Sequence, residues 1–328
     1  MSTRTVADQD LSLPLSTLLR SGTAALHEQV EKSQGAGRLA RGELDEPEYV
    51  HFLMMLWHVY DTLERALGKH VSHPVLSSIH NPTLLSRAAS LSADIAFYLQ
   101  TNESDWASHP THVAFVESPP AALTDYVSRM ETVADSSDPS PLLAHAYVRY
   151  LGDLSGGQII RNRIIKAYGL EGDAGVAFYD FSPLGGTGRA TIGDLKKIKE
   201  WFRHNMDTSV GSNEAVKAAI LREACIAFEL NGGLFAALDD LAPTDSLDVS
   251  LPPLGEPSTP VESDYNDQAE AKVVYDSSTP QETTFQISSV IAVIAAMSLA
   301  HFILVVGGFT GDRGAAKLQA VRDWLAAR

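Results

Sequence analysis

The chain has 328 residues, 45% hydrophobic and 20% charged, with a formal net charge of −16. Length alone allows more than one domain, while so acidic a balance argues against a polyanion-binding surface, so nucleic acid is not an expected partner. The single cysteine, Cys225, allows no internal disulfide and reads as a core thiol in a reducing compartment.

Residues 1–14 hold no apolar h-region and read as a flexible N-terminus. Residues 15–240 show long stretches of helical period and no alternating strand runs, so the expected fold class is all-α, a single multi-helix domain. Tyr49, Phe52, Leu56, Tyr60, Leu63 and Leu67 form one such apolar face. Further on, SPLLAHAYVRY opens with Ser140 and Pro141 as a cap and first-position pair, and the helical pattern resumes in IIRNRIIKAYGL.

Between these two segments lies YLGDLSGGQ, Tyr150 to Gln158, where Gly152, Gly156 and Gly157 interrupt the helix. Each glycine costs about 1 kcal/mol against alanine in a helix interior. Three together point to a bend, or to close backbone approach to something flat or bulky. The pentapeptide LSGGQ also occurs in ABC-type ATPases, where it faces a nucleotide phosphate. That chemistry needs a P-loop, GxxxxGK followed by Ser or Thr. The pair Gly68-Lys69 is followed by His70 and has no glycine five residues upstream, so the required partner motif is missing.

The longer string HAYVRYLGDLSGGQ, His145 to Gln158, resembles the distal-helix signature of haem oxygenases. Other segments fall in that family's order: LRSGTAALHEQVE (Leu19 to Glu31), WHVYDTLE (Trp57 to Glu64), AFYDF (Ala177 to Phe181), KEWFRHNM (Lys199 to Met206) and AFELNGGLF (Ala227 to Phe235). One departure is the connection SPLGGTGRATIG, Ser182 to Gly193, which is longer and richer in glycine than the family pattern.

The resemblance implies a role for each matching position. His27 would be the axial ligand of haem iron, with Glu31 one turn on to accept the other ring N–H. Arg20, Lys199 and Arg203 would meet the haem propionates, and Phe228 and Phe235 would line an apolar wall. Gly152, Gly156 and Gly157 would bring backbone over the distal face of the haem. Asp153 would anchor a distal water that supplies protons, with Tyr60, Tyr147, Arg149 and Asn231 in the surrounding hydrogen-bond network.

Haem would then be both substrate and prosthetic group, opened by dioxygen to biliverdin with release of carbon monoxide and ferrous iron. No GxGxxG fingerprint is present, so no bound nucleotide is expected. Electrons would come from NADPH through a partner flavoprotein reductase. A non-catalytic, membrane-tethered haem sensor or carrier is the alternative. It would share the His27 pocket without needing the Asp153 network.

Beyond residue 240 the composition changes. Residues 241–284 carry nine acids against Lys272, a charge of −8 that is half of the total −16, and read as a disordered linker. No charged residue lies between Glu282 and Asp312, so residues 285–310 read as a transmembrane helix able to cross a hydrocarbon core of ~30 Å. His301 within it is tolerable as neutral imidazole. Residues 311–328 form a short basic tail with Leu318, Val321 and Leu325 on one face, suited to a bilayer interface.

A basic tail favours the cytosolic side, but the N-terminus offers nothing to translocate the large domain ahead of it. The expectation is therefore a tail-anchored protein with its helical domain in the cytosol. The endoplasmic reticulum is the favoured membrane over the mitochondrial outer membrane.

Overall fold

The computed structural model describes residues 9–239, and every regular element among them is helical. The expected linker, anchor and tail lie outside the described residues. No described helix is long and apolar enough to cross a membrane. In chain order the helices are α1 (Leu15–Gly22), α2 (Ala24–Glu31), α3 (Gln34–Arg41), α4 (Glu46–Lys69), α5 (Pro82–Leu85), α6 (Ala88–Tyr98), α7 (Pro110–Glu117), α8 (Ala121–Ala134), α9 (Leu142–Asp153), α10 (Gly157–Tyr168), α11 (Ile192–Val210) and α12 (Glu214–Asp239).

Two long helices organise the core, and α4 begins with a reciprocal capping box. Glu48 N donates to Asp45 Oδ1 at 2.8 Å and Asp45 N donates to Glu48 Oε2 at 2.9 Å. All six residues of the predicted apolar face are buried. Each large apolar side chain contributes roughly 1.5–3 kcal/mol when fully buried, which holds α4 at the centre with α6, α8 and α9 against it.

The second organiser, α12, packs against α2, α3, α8 and α9. It comes close because Gly232 and Gly233 lack side chains. A Cβ would lie 3.5 Å from Val30 Cγ2 at Gly232, and 3.2 Å from Ala122 Cβ at Gly233. One helix thus backs both α2, which carries His27, and α9, which ends at Asp153.

Two local expectations are corrected. Residues 9–14, read as flexible, are tied down: the buried Lys217 donates Nζ to the carbonyls of Leu11 at 3.0 Å and Leu13 at 2.7 Å. A buried ammonium needs such acceptors. Ser140 does not cap α9, because its hydroxyl is buried without a partner. The first N–H groups of α9 go instead to the carbonyls of Pro139, Ser140 and Pro141.

Candidate active site

The helix break falls at Leu154–Gly156, between α9 and α10. Gly156 has φ −65°, so the break does not require a left-handed backbone. Space explains its glycines better. A Cβ on Gly152 would meet nothing within 4 Å, and one on Gly156 only the Gly152 carbonyl at 3.8 Å. Both present bare backbone on one exposed face. Gly157, expected on the same face, differs: its Cβ would sit 3.1 Å from Tyr179 Cδ1. Its missing side chain admits a neighbouring tyrosine rather than a ligand.

Behind that bare face is a buried polar network. Tyr60 on α4 donates its hydroxyl to Asp153 Oδ2. Arg149 Nη2 lies 3.5 Å from Asp153 Oδ1, and Arg149 Nε donates to Tyr60 Oη at 3.3 Å. Arg149 Nη1 donates to Asn231 Oδ1 at 2.5 Å, and Asn231 Nδ2 donates to Tyr126 Oη at 3.0 Å and to Ala227 O at 2.7 Å. The Arg149–Asp153 pair is therefore internal, not a solvated helix-surface pair.

Burial pushes the Asp153 carboxyl well above the usual carboxylate range. Burial also lowers Arg149, with Tyr126 and Tyr179 acting in the opposite direction. The arrangement can hold a proton at Asp153 and fix where that proton points.

Tyr147, expected in this network, stands elsewhere. Burial raises its hydroxyl, and Arg203 and Arg20 lower it, so it lies within electrostatic reach of those two cations. The basic edge thus draws Arg20 from α1, Tyr147 from α9, and Lys199 and Arg203 from α11. Lys199 Nζ reaches Ser155 Oγ at 3.3 Å, in the glycine turn itself. Burial and Arg203 together lower the Lys199 ammonium.

His27 sits on α2 with 54% of its side chain exposed, and its Nδ1 lies 3.4 Å from Glu31 Oε2. Its ring meets the edge of Phe228 at a centroid distance of 5.7 Å. The buried Thr23 fixes the start of α2, donating Oγ1 to Leu19 O at 2.6 Å. Phe235 is not beside His27; it stacks on Phe52 at 5.7 Å and belongs with the core. Among the described residues no three His, Cys, Asp or Glu side chains gather as a metal site.

A family profile described as Heme oxygenase matches residues 13–237. The chain belongs to the haem oxygenase family. It is 32% identical to heme oxygenase 1 of Nostoc over 229 residues, covering 70% of this chain and 87% of that one. With human heme oxygenase 1 it shares 31% over 237 residues, covering 72% and 75%. The fold is similar to crystal structures of Synechocystis heme oxygenase-2 with heme and NO (TM-score 0.61, 33% identity, 70% and 86% covered) and Synechocystis heme oxygenase-1 with heme (TM-score 0.58, 31% identity, 70% and 94% covered).

Sequence reading of this haem oxygenase chain missed Tyr126, which closes the network through Asn231. It also missed a second buried group. His145 Nε2 meets Glu223 Oε1 at 2.9 Å, and Arg129 binds both Glu223 oxygens. Burial alone would raise the Glu223 carboxyl; the hydrogen bonds from His145 and Arg129 outweigh it and bring it to about 2. A buried Asp94 accepts from Ala177 N and Phe178 N, both at 2.8 Å, and so fixes the AFYDF segment. That segment places Phe178 against Tyr60, with ring centroids 5.5 Å apart.

Proposed function

We propose that this chain is a haem oxygenase enzyme, cleaving haem with dioxygen to biliverdin, carbon monoxide and ferrous iron. The observation that carries the reading is the buried Asp153 network placed directly behind the bare backbone of Gly152 and Gly156. A sensor or carrier needs a ligand and a pocket. It has no use for a raised, hydrogen-bonded carboxyl at that position.

The residues fit haem. A flat apolar plate with carboxylates on one edge suits bare backbone, an exposed imidazole and a cationic rim. His27 would hold the iron, with Glu31 orienting its imidazole through Nδ1. Phe228 would border the plate on that side. Arg20, Lys199 and Arg203 would receive the propionates, joined by the Tyr147 hydroxyl. When bound, haem supplies the oxygen-activating chemistry and is itself the substrate.

The protein contributes proton management. Burial raises the Asp153 carboxyl, so it holds a proton more readily than an exposed carboxyl and could anchor a distal water and pass on a proton. Tyr60 fixes one carboxyl oxygen, and Arg149, braced by Asn231 and Tyr126, stands beside the other. No nucleophilic side chain is required.

Electrons would come from NADPH through a flavoprotein reductase. A shared lipid bilayer would raise the encounter rate of the two proteins. The uncharged stretch between Glu282 and Asp312 supports a tail anchor, and the domain would face the cytosol from the endoplasmic reticulum. The test is to supply the haem-loaded chain with dioxygen, NADPH and such a reductase. Loss of the Soret band with growth of bilin absorption supports the reading; a haem complex that persists unchanged makes the protein a carrier.

A further inference from the structure

Four charged side chains, one on α10 and three in its connection to α11, are not used by the chemistry above. Arg161, on α10, donates Nε to Asp180 Oδ1 at 3.0 Å and Nη2 to Asp173 Oδ1. Arg189, in the glycine-rich loop ahead of α11, places Nε 3.0 Å from the same Asp180 oxygen and Nη1 3.5 Å from the same Asp173 oxygen. Two guanidiniums thus bridge two carboxylates. Arg161 is buried and needs those partners. Arg189 is 45% exposed and does not; what the contact gives it is a fixed place.

Both ends of this cluster lead to the site. On the α10 side, Gln158 donates Nε2 to Tyr179 O at 2.7 Å, and Tyr179 fills the space left by Gly157. On the α11 side, Ala190 N donates to Phe181 O at 2.7 Å, and Thr191 caps the helix through Asp194. That helix carries Lys199 and Arg203, and Lys199 reaches back to Ser155 in the glycine turn at 3.3 Å. The start of the rim helix is therefore tied, through Arg189 and Ala190, to the segment packed under the glycine turn.

We infer that the Arg161–Asp180–Arg189–Asp173 cluster is a positioning element: it sets where Lys199 and Arg203 stand relative to the glycine turn, and hence the in-plane seating of haem and the edge presented for cleavage. The inference rests on the haem reading above. A flat plate held mainly by its carboxylate edge can turn in its own plane, because its apolar body offers little resistance to rotation. Moving the cations turns the plate, and a displacement of about 1 Å is enough to alter which atoms react.

The test uses the full chain loaded with ferric haem, comparing the parent with Arg189→Gln, Arg189→Lys and Asp173→Asn. The paramagnetically shifted haem-methyl resonances report in-plane seating without any turnover. In Arg189→Gln and Asp173→Asn a second set of methyl resonances is expected, and Arg189→Lys should restore most of the parent set. Where the parent makes bilin, the biliverdin isomer distribution should shift in parallel. Arg189 and Asp173 are solvent-exposed enough for the variants to fold. A single parent-like set of resonances in both Arg189→Gln and Asp173→Asn overturns the inference. A parent that binds haem but makes no bilin overturns the enzymatic reading instead, and the seating comparison still stands on its own.

Discussion

Tyr60 and Asp153 are 93 residues apart in sequence and share a buried hydrogen bond that joins the central helix α4 to the last residue of α9. The phenol donates and the carboxyl accepts, so one oxygen of Asp153 is committed to the protein. Its orientation is set before any ligand arrives. Tyr60→Phe removes the donor and leaves the carboxyl beside Arg149 alone. Loss of a buried hydrogen-bond partner costs about 1–3 kcal/mol. The variant should unfold at lower denaturant and form bilin more slowly, with haem affinity close to the parent. Parent-like bilin kinetics would remove Tyr60 from the positioning of Asp153.

Gly152 separates folding from binding. A side chain there meets nothing in the protein, and replacing a helical glycine with alanine gains about 1 kcal/mol of helix propensity. Gly152→Leu should therefore fold at least as stably as the parent and bind haem more weakly. Gly157→Ala should do the reverse, losing stability against Tyr179 with less effect on affinity. Thermal melts and haem titrations on both variants decide it. Equal affinity losses at the two positions would contradict the assignment of only one of them to the bare face.

His27→Ala should lose axial ligation while the rim and apolar surfaces retain part of the haem affinity. Added imidazole should restore the parent's ferric spectrum, because the cavity left by the side chain opens to solvent on the exposed face of α2. Normal ferric and ferrous–CO spectra in the variant without imidazole would place the ligand at another histidine.

Glu223 gives a pH prediction. Its folded carboxyl lies at about 2, below its ordinary 4.5, so its contribution to stability is fully present above pH 4.5. It is lost as the pH falls from there through about 2. Because Arg129 is partly solvent-screened, the contribution is discounted to on the order of 2 kcal/mol. Glu223→Gln should be less stable at neutral pH and should lose less on acidification. Denaturant melts from pH 7 to pH 2 check this, and parallel curves for parent and variant would refute it.

Much of this was legible in the sequence because it is local. The apolar face of α4 repeats with helical period, and the glycine-broken string carries its own signature. What was missed depends on long-range contact. Tyr126 meets Asn231 across 105 residues, and His145 meets Glu223 across 78; no spacing rule links such pairs. Two misplacements could have been avoided with helix geometry. Tyr147 is two residues before Arg149, so the two project to different sides of α9. Gly157 follows Gly156 directly and turns about 100° away from it, which takes it off the bare face and onto Tyr179.

As proposed, the Asp153 network is what makes a haem-cleaving enzyme out of a haem-binding pocket. The most direct test is the yield of bilin per bound haem in a single turnover, measured for the parent and for Asp153→Asn. The amide keeps the shape and removes the ionisable proton. Haem affinity should stay close to the parent and the bilin yield should fall by at least ~10-fold, since a positioned general acid contributes roughly 10²–10⁴ in rate. Parent-like bilin yield in Asp153→Asn, with haem fully bound, would contradict the proposal.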